Sequence, residues 1–232
     1  MALLGDGFLV MWHDIVPDMQ SEYTEWHTRE HMPERLSIPG FLVGKRLMNH
    51  DLDRYRYGTI YTGRDVEVFR SPAYLARLND PTPWSNRLQP AFRNFLRVAC
   101  ERVASAGRGD GGAVATTRLV FAEGAGDPVA RGGAQALVES ILAIKGVCGA
   151  HVGLARTEVS GVRTRETELR PEMAERGFDA VVITEGSGRM ELESAIGGIE
   201  AAIAASACGF IEPRSITYSL AYELTSHDMG QA

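Results

Sequence analysis

Short apolar, β-favouring runs alternate with amphipathic segments along the first half of the chain. The run GFLVMWHDI, residues 7–15, predicts a strand, and the Pro-Asp pair after it ends that strand. The pattern then predicts a helix through residues 23–31, strands at 41–49 and 55–63, a helix near 66–79, and a strand at 92–105. This β-α-β-β-α-β order is that of a ferredoxin-like unit.

The second half repeats this order, and the repeat is visible in the letters. Leu36-x-Ile38-Pro39-Gly40 recurs as Leu142-x-Ile144-Lys145-Gly146, at an offset of 106 residues. A glycine-rich segment lies between the two halves. We therefore predict two ferredoxin-like domains, 1–106 and 115–232, joined by a linker at 107–114.

A ferredoxin-like sheet carries helices on one face only, so its other face must be covered. Two such units in one chain can cover each other. The predicted fold class is therefore α+β, with two tandem β-α-β-β-α-β units packed sheet to sheet as a pseudo-dimeric α+β barrel. A polar insertion at 157–176 lengthens the second half, and we expect a partly helical surface excursion there.

The composition excludes several classes of partner. The 232 residues include 24 Lys and Arg against 30 Asp and Glu, a net charge of −6, which gives no basic field for nucleic acid or anionic lipid. No apolar run approaches the ~18 residues that span a bilayer. Three widely separated cysteines indicate reduced thiols, so we expect a cytoplasmic protein. No phosphate-binding loop is present, and the sequence assigns no cofactor.

Candidate catalytic and metal-binding side chains are most concentrated in the segment EWHTREHMPERLSIPGF, residues 25–41. His27 and His31 are four residues apart with Glu30 between them, which is the H-x-x-E-H spacing of an inverted zinc-peptidase helix. A zinc site needs a third protein ligand, and no later helix offers one. We therefore predict no metal here.

The stretch SEYTEWHTREHMPERLSIPGFLVGKRL resembles the dimeric α/β-barrel superfamily, and most closely its EthD-like and uncharacterised members. Their first helix has the pattern W-(Y/H)-x-x-E-H-x-P-x-x-L before a P-G-F turn. The matching residues here are Trp26, His27, Glu30, His31, Pro33, Leu36 and Pro39-Gly40-Phe41. The resemblance covers about residues 7–63. It implies a pocket for a small hydrophobic or aromatic ligand, in a superfamily that includes lactone isomerases, polyketide cyclases, cofactor-free monooxygenases and, in tandem forms, haem proteins.

For an enzyme with such a pocket, we expect His31 to act as general acid or base, with Glu30 orienting it and His13 polarising the substrate. The alternative for His31 is a structural hydrogen bond that ties the helix end to the next loop. On the first strand, either His13 or the pair Trp12 and Asp14 faces the pocket, because side chains alternate along a strand. The predicted wall and contact residues are Trp12, Trp26, Tyr61, Tyr23, His27 and Arg46.

The internal repeat offers a comparison within the chain. At the offset of 106, Glu30 aligns with Ala136 and His31 with Leu137. The polar candidates are thus absent from the second copy, which favours a function confined to the first. Three hypotheses follow: a cofactor-independent enzyme acting on a small cyclic or aromatic metabolite, a non-catalytic binding or stress-type protein, and a haem protein. Further assembly into a homodimer is left open.

Overall fold

The structure is a computed structural model and describes residues 3–123, 131–170 and 177–230. The end of the predicted insertion, 171–176, lies outside these ranges. The strands are β1 (Gly7–Ile15), β2 (Phe41–Met48), β3 (Tyr57–Gly63), β4 (Phe92–Gly107), β5 (Ala113–Phe121), β6 (Val147–Ala155), β7 (Ala180–Gly186) and β8 (Phe210–Thr225). The α-helices are α1 (Gln20–Trp26), α2 (Met32–Leu36), α3 (Pro72–Asn79), α4 (Pro83–Leu88), α5 (Arg131–Leu142), α6 (Thr157–Ser160), α7 (Arg165–Glu168) and α8 (Arg189–Ala205).

The described chain forms two compact units. The first contains residues 5–99, 156–170 and 221–230, and the second contains the remaining described residues. The antiparallel strand order is β4-β1-β3-β2 in the first unit and β8-β5-β7-β6 in the second. The predicted α+β class with ferredoxin-like strand order is therefore confirmed. The domain boundaries at 107–114 remain a prediction.

The offset of 106 holds in the first part of each unit. β1 and β5 begin 106 residues apart, as do β2 and β6. The turn before β2 has Gly40 at φ +94°, and the turn before β6 has Gly146 at φ +92°. Both turns therefore use the left-handed region that glycine adopts at little cost.

The helices of the first unit lie close to their sheet. A Cβ added to Gly44 on β2 would stand 2.9 Å from the ring of Tyr61 and 3.0 Å from the side chain of Met32 in α2. Tyr61, Met32 and Leu36 are buried in the same apolar cluster. This close contact fixes the height of α2 above the strands.

Three local features differ from the sequence pattern. α1 and α2 are joined by a π-helical turn, His27–His31, and α4 occupies a proline-rich segment that periodicity does not mark. β3 begins at Tyr57 rather than at residue 55. Tyr55 has φ +62°, and its backbone N–H donates to the Asp14 carboxylate at 2.9 Å, which holds it out of the strand. Among the described residues, no helix is both long and apolar enough to cross a membrane.

Gly40 offers a direct test of the turn. The change Gly40→Ala places a Cβ 2.7 Å from Val68 Cγ2 at a positive φ, so we expect a loss of ~1–2 kcal/mol in the free energy of unfolding. The control is Gly197→Ala in α8, where nothing lies within 4 Å and the change is expected to stabilise by up to ~1 kcal/mol. Urea unfolding followed by circular dichroism measures both. A Gly40→Ala protein as stable as the wild type would contradict this account of the turn.

Candidate functional site

The π-helical turn orients the histidine pair. The Met32 backbone N–H donates to the His27 carbonyl, the i→i+5 bond that defines this wider turn. His27 and His31 are both buried, at 3% and 8% exposure. Single π turns within α-helices often occur at functional sites, because the extra residue turns side chains towards a neighbouring element.

A small cavity of about 20 Å³ lies beneath this turn, inside the first unit. A site of this size has room for one water-sized group. Its lining residues are Met11, His13, Tyr23, Trp26, His27, His31, Thr59, Gln89, Phe92, Phe95 and Arg170. Five predicted site residues therefore meet at one cavity: His13, Tyr23, Trp26, His27 and His31.

On β1, the face that carries Met11 and His13 lines the cavity. Trp12 is fully buried and lies outside the lining of this cavity, so its place in the pocket wall stays a prediction. Asp14 is occupied elsewhere, because its carboxylate accepts from the backbone of Tyr55 and Arg56. Of the two alternatives on this strand, His13 faces the cavity, and Trp12 and Asp14 do not.

Three further predicted residues lie away from the cavity. The Glu30 carboxylate accepts a hydrogen bond from Thr82 Oγ1 at 2.5 Å and does not orient His31. Tyr61 packs in the apolar cluster below α2, against Phe41. Arg46 donates to the Thr24 carbonyl and to Thr28 Oγ1, so it ties β2 to α1 rather than lining the cavity.

Aromatic contacts hold the histidine rings. His31 stacks on Trp26 with ring centroids 4.1 Å apart, and His13 stacks on Tyr57 at 5.6 Å. The Tyr23 hydroxyl lies 3.2 Å from His13 Nε2. The Nδ1 atoms of His13, His27 and His31 are buried and have no hydrogen-bond partner among the described residues.

Burial keeps all three rings uncharged. Loss of hydration lowers the pKa of His13 from 6.5 to about 3. Burial, followed by the charges of Arg46 for His27 and of Arg35 for His31, places the pKa of each of these rings well below its ordinary value. At neutral pH the cavity therefore contains neutral imidazoles, which can accept a proton.

The cavity also has a cationic side that the sequence analysis did not assign. Arg170 Nε donates to Gln89 Oε1 at 2.6 Å, and Arg170 Nη2 lies 3.2 Å from Glu166 Oε2. Glu166 Oε1 accepts from Arg35 Nη2 at 2.9 Å and from Gln89 Nε2 at 2.8 Å. Burial lowers the pKa of Arg170 to about 10 while Glu166 opposes that shift, so the guanidinium stays protonated at neutral pH.

Glu166 and Arg170 belong to the insertion predicted as a surface excursion. The described part is partly helical, with α6 and α7. Glu166 and Arg170 are nonetheless buried, with side-chain exposures of 3% and 5%. The only signal in the sequence is an acidic and a basic residue at i and i+4, a spacing that exposed helices also show.

The described residues form no metal site, and the cavity at its present size has no room for a haem ring. Among residues 3–123, 131–170 and 177–230, no three His, Cys, Asp or Glu side chains cluster as metal ligands would. A porphyrin ring is many times larger than the 20 Å³ cavity, which is packed on its sides by Trp26, Phe92 and Phe95.

The buried histidines predict acid sensitivity. Below pH 6.5 the histidines are protonated in the unfolded chain but stay neutral in the folded protein. The free energy of unfolding is therefore at its full value above pH 6.5 and decreases as the pH falls from there towards 3. Each histidine contributes up to ~1.4 kcal/mol per pH unit. Urea unfolding between pH 7 and pH 5 measures the slope. His27→Gln should make the slope shallower, with His227→Gln, at an exposed turn, as the control variant. A stability that is constant across this interval would contradict the burial argument.

Comparisons with protein-family models and with curated proteins find no match. Among solved structures, the chain is similar to an anthrone oxidase-like protein at 12% identity and TM-score 0.58, covering 95% of this chain and 92% of that one. It is similar to a candidate monooxygenase from Fusobacterium nucleatum at 9% identity and TM-score 0.60, covering 96% of each chain. A chlorite dismutase variant from Candidatus Nitrospira defluvii aligns at 10% identity and TM-score 0.57, over 93% and 91%. At these identities the likeness shows the fold, which is that of the ferredoxin-like α+β barrels.

Proposed function

We propose that this protein is a cofactor-independent enzyme of the EthD-like type, which removes a proton from a small cyclic or aromatic metabolite and so leads to its oxidation, oxygenation or isomerisation. One observation carries the proposal. The first unit places His13 and His31 in its interior, whereas the positions 106 residues later are Leu119 and Leu137, both in the apolar core of the second unit. Since the second unit is built on the same strand order without them, the fold does not require these histidines.

His31 is the proposed base. Its ring is neutral, lies at the cavity and has an unpartnered Nδ1. Stacking on Trp26 fixes the plane of the ring, which is the positioning role first expected of Glu30. A neutral imidazole held in one orientation can accept a proton from carbon or oxygen, and because burial lowers the pKa of His31, the transfer depends on a negative charge forming beside the ring.

His13 and Tyr23 form the proposed polarising pair. When His13 Nε2 accepts from the Tyr23 hydroxyl, the remaining ring proton lies on Nδ1. That N–H can donate to a substrate oxygen. Burial raises the pKa of the Tyr23 hydroxyl, so it remains a donor across the physiological range.

The walls favour a flat ring as substrate. Trp26, Phe92 and Phe95 all line the cavity, and aromatic faces stack on planar ligands. A six-membered ring exceeds about 20 Å³, so the lining side chains must move apart when it binds. The similar structures include proteins named as an anthrone oxidase-like protein and a candidate monooxygenase, which makes anthrone a reasonable first probe.

With anthrone, the proposed chemistry is complete without a cofactor. His31 takes a proton from the central carbon, and the resulting enolate is oxidised by dissolved O2. One anthrone and one O2 give one anthraquinone and one water, so oxygen is the oxidant and the imidazole returns its proton to the reduced oxygen.

We expect His31→Gln to slow anthrone oxidation by ~10²–10⁴-fold, since it removes the general base. Anthraquinone formation and O2 uptake are measured together, with buffer as the blank. His227→Gln is the matched control, because that histidine is exposed. Equal rates for His31→Gln and the wild type would show that His31 is not the base, and wild-type rates no higher than buffer would exclude this oxidase activity.

His31→Leu separates function from folding. The change gives the first unit the residue that stands at the equivalent position of the second, Leu137. It removes a buried nitrogen without a partner, so we expect the free energy of unfolding at pH 7 to be unchanged or higher by ~1 kcal/mol, with activity lost. A marked loss of stability would instead support the structural role of His31.

The predicted partner is a small hydrophobic or aromatic ligand, and the predicted location is the cytoplasm. A non-catalytic binding protein is the alternative that binding without turnover would favour. A homodimer would be recognised by light scattering in solution.

A further inference from the structure

We propose that the ligand of this cavity presents an anionic oxygen, as a carboxylate, phenolate or enolate, and that Arg170 Nη1 binds it. This inference rests on the proposed function for its catalytic meaning, and the binding it describes can be measured without turnover. It changes the expected ligand from a neutral apolar ring to a ring that carries a negative charge.

One edge of the Arg170 guanidinium group is held by hydrogen bonds and ion pairing, and the other edge can bind a ligand. Nε and Nη2 are held by Gln89 and Glu166, and the guanidinium lies over the Phe95 ring, 4.0 Å from its centroid. Nη1 is buried and has no hydrogen-bond partner among the described residues. Because the side chain lines the cavity and is only 5% exposed, this donor cannot be satisfied by bulk water. A buried donor of this kind is costly unless a ligand pairs with it.

The charges around Arg170 leave a positive excess. Arg35 and Arg97 act on it as cations, and Glu166 acts as the anion. Glu166 is shared with Arg35, which also pairs with Glu34 at 2.9 Å. Three guanidinium groups therefore face two carboxylates, and the neutral histidines add no charge. One ligand anion would balance this group.

The remaining lining suits the rest of such a ligand. Phe92 and Phe95 form an apolar wall beside Arg170, and the neutral rings of His13 and His31 face the same cavity. A carboxylate or enolate oxygen at Nη1 would thus lie between a fixed cation and neutral groups that can donate a hydrogen bond. A neutral ligand of the same shape would leave Nη1 without an anionic partner.

The test compares benzoate with benzamide, which match in shape and differ in charge. Titration calorimetry at constant ionic strength gives both affinities, and the Trp26 indole N–H signal in NMR reports whether binding occurs at the cavity. For the wild type we expect benzoate to bind about 10- to 100-fold more tightly than benzamide, the range of a charge-assisted hydrogen bond. Arg170→Gln should abolish the preference, and Arg170→Lys should retain part of it.

Arg165→Gln is the matched control, since Arg165 belongs to the same insertion but is 58% exposed. It should bind both ligands as the wild type does. If Arg170→Gln fails to fold, the wild-type pair of ligands and Arg170→Lys still decide the question. Equal affinities for benzoate and benzamide in the wild type, no benzoate binding at the cavity, or a preference that survives Arg170→Gln would overturn the inference. Benzoate selectivity in a protein that oxidises nothing would support this inference and contradict the proposed enzyme.

Discussion

The buried carboxylate of Glu166 is the constraint on which the site depends. It is 3% exposed and accepts hydrogen bonds from Arg35 in α2 and Gln89 after α4, while pairing with Arg170. A carboxylate in such a place is strongly destabilising unless it is paired and hydrogen-bonded. Two of its three partners, Arg35 and Gln89, come from distant parts of the chain, so the ion network holds the insertion against the helices. The position of Arg170 at the cavity is a consequence of that network.

The neutral state of the histidines follows from the same arrangement. Glu166 is paired with arginines and Glu30 with Thr82, and the Asp14 carboxylate, which raises the pKa of His13, is outweighed by burial. The site accordingly retains polar atoms that the fold would be more stable without. The second unit fills the equivalent positions with Leu119 and Leu137, and its core is apolar. Local departures from good packing of this kind are typical of functional sites.

Much of the fold could be predicted from the sequence, because alternation and helical periodicity are local properties. The strand order, the two glycine turns and the inward direction of His27 and His31 all follow from patterns within one element or one repeat. Glu30 bonds Thr82 for a reason that is also local, since Glu30 and His31 are adjacent on a helical turn and adjacent residues do not face each other. The contribution of Arg170 could not be predicted, because its partner Gln89 is 81 residues away and a polar insertion usually lies in solvent.

The base and the cation of this site are coupled through charge. In the free protein burial first, and then the surrounding arginines including Arg35 and Arg170, disfavour a proton on His31. A ligand that loses its proton to His31 becomes an anion beside Arg170, and the new negative charge then stabilises both cations. Proton transfer therefore requires an acceptor that is neutral beforehand and a fixed cation that holds the product. A weakly acidic ligand such as an enol or phenol can also supply the anion that Arg170 binds, because it enters uncharged, loses no ionic hydration on the way in and gains its charge inside the cavity.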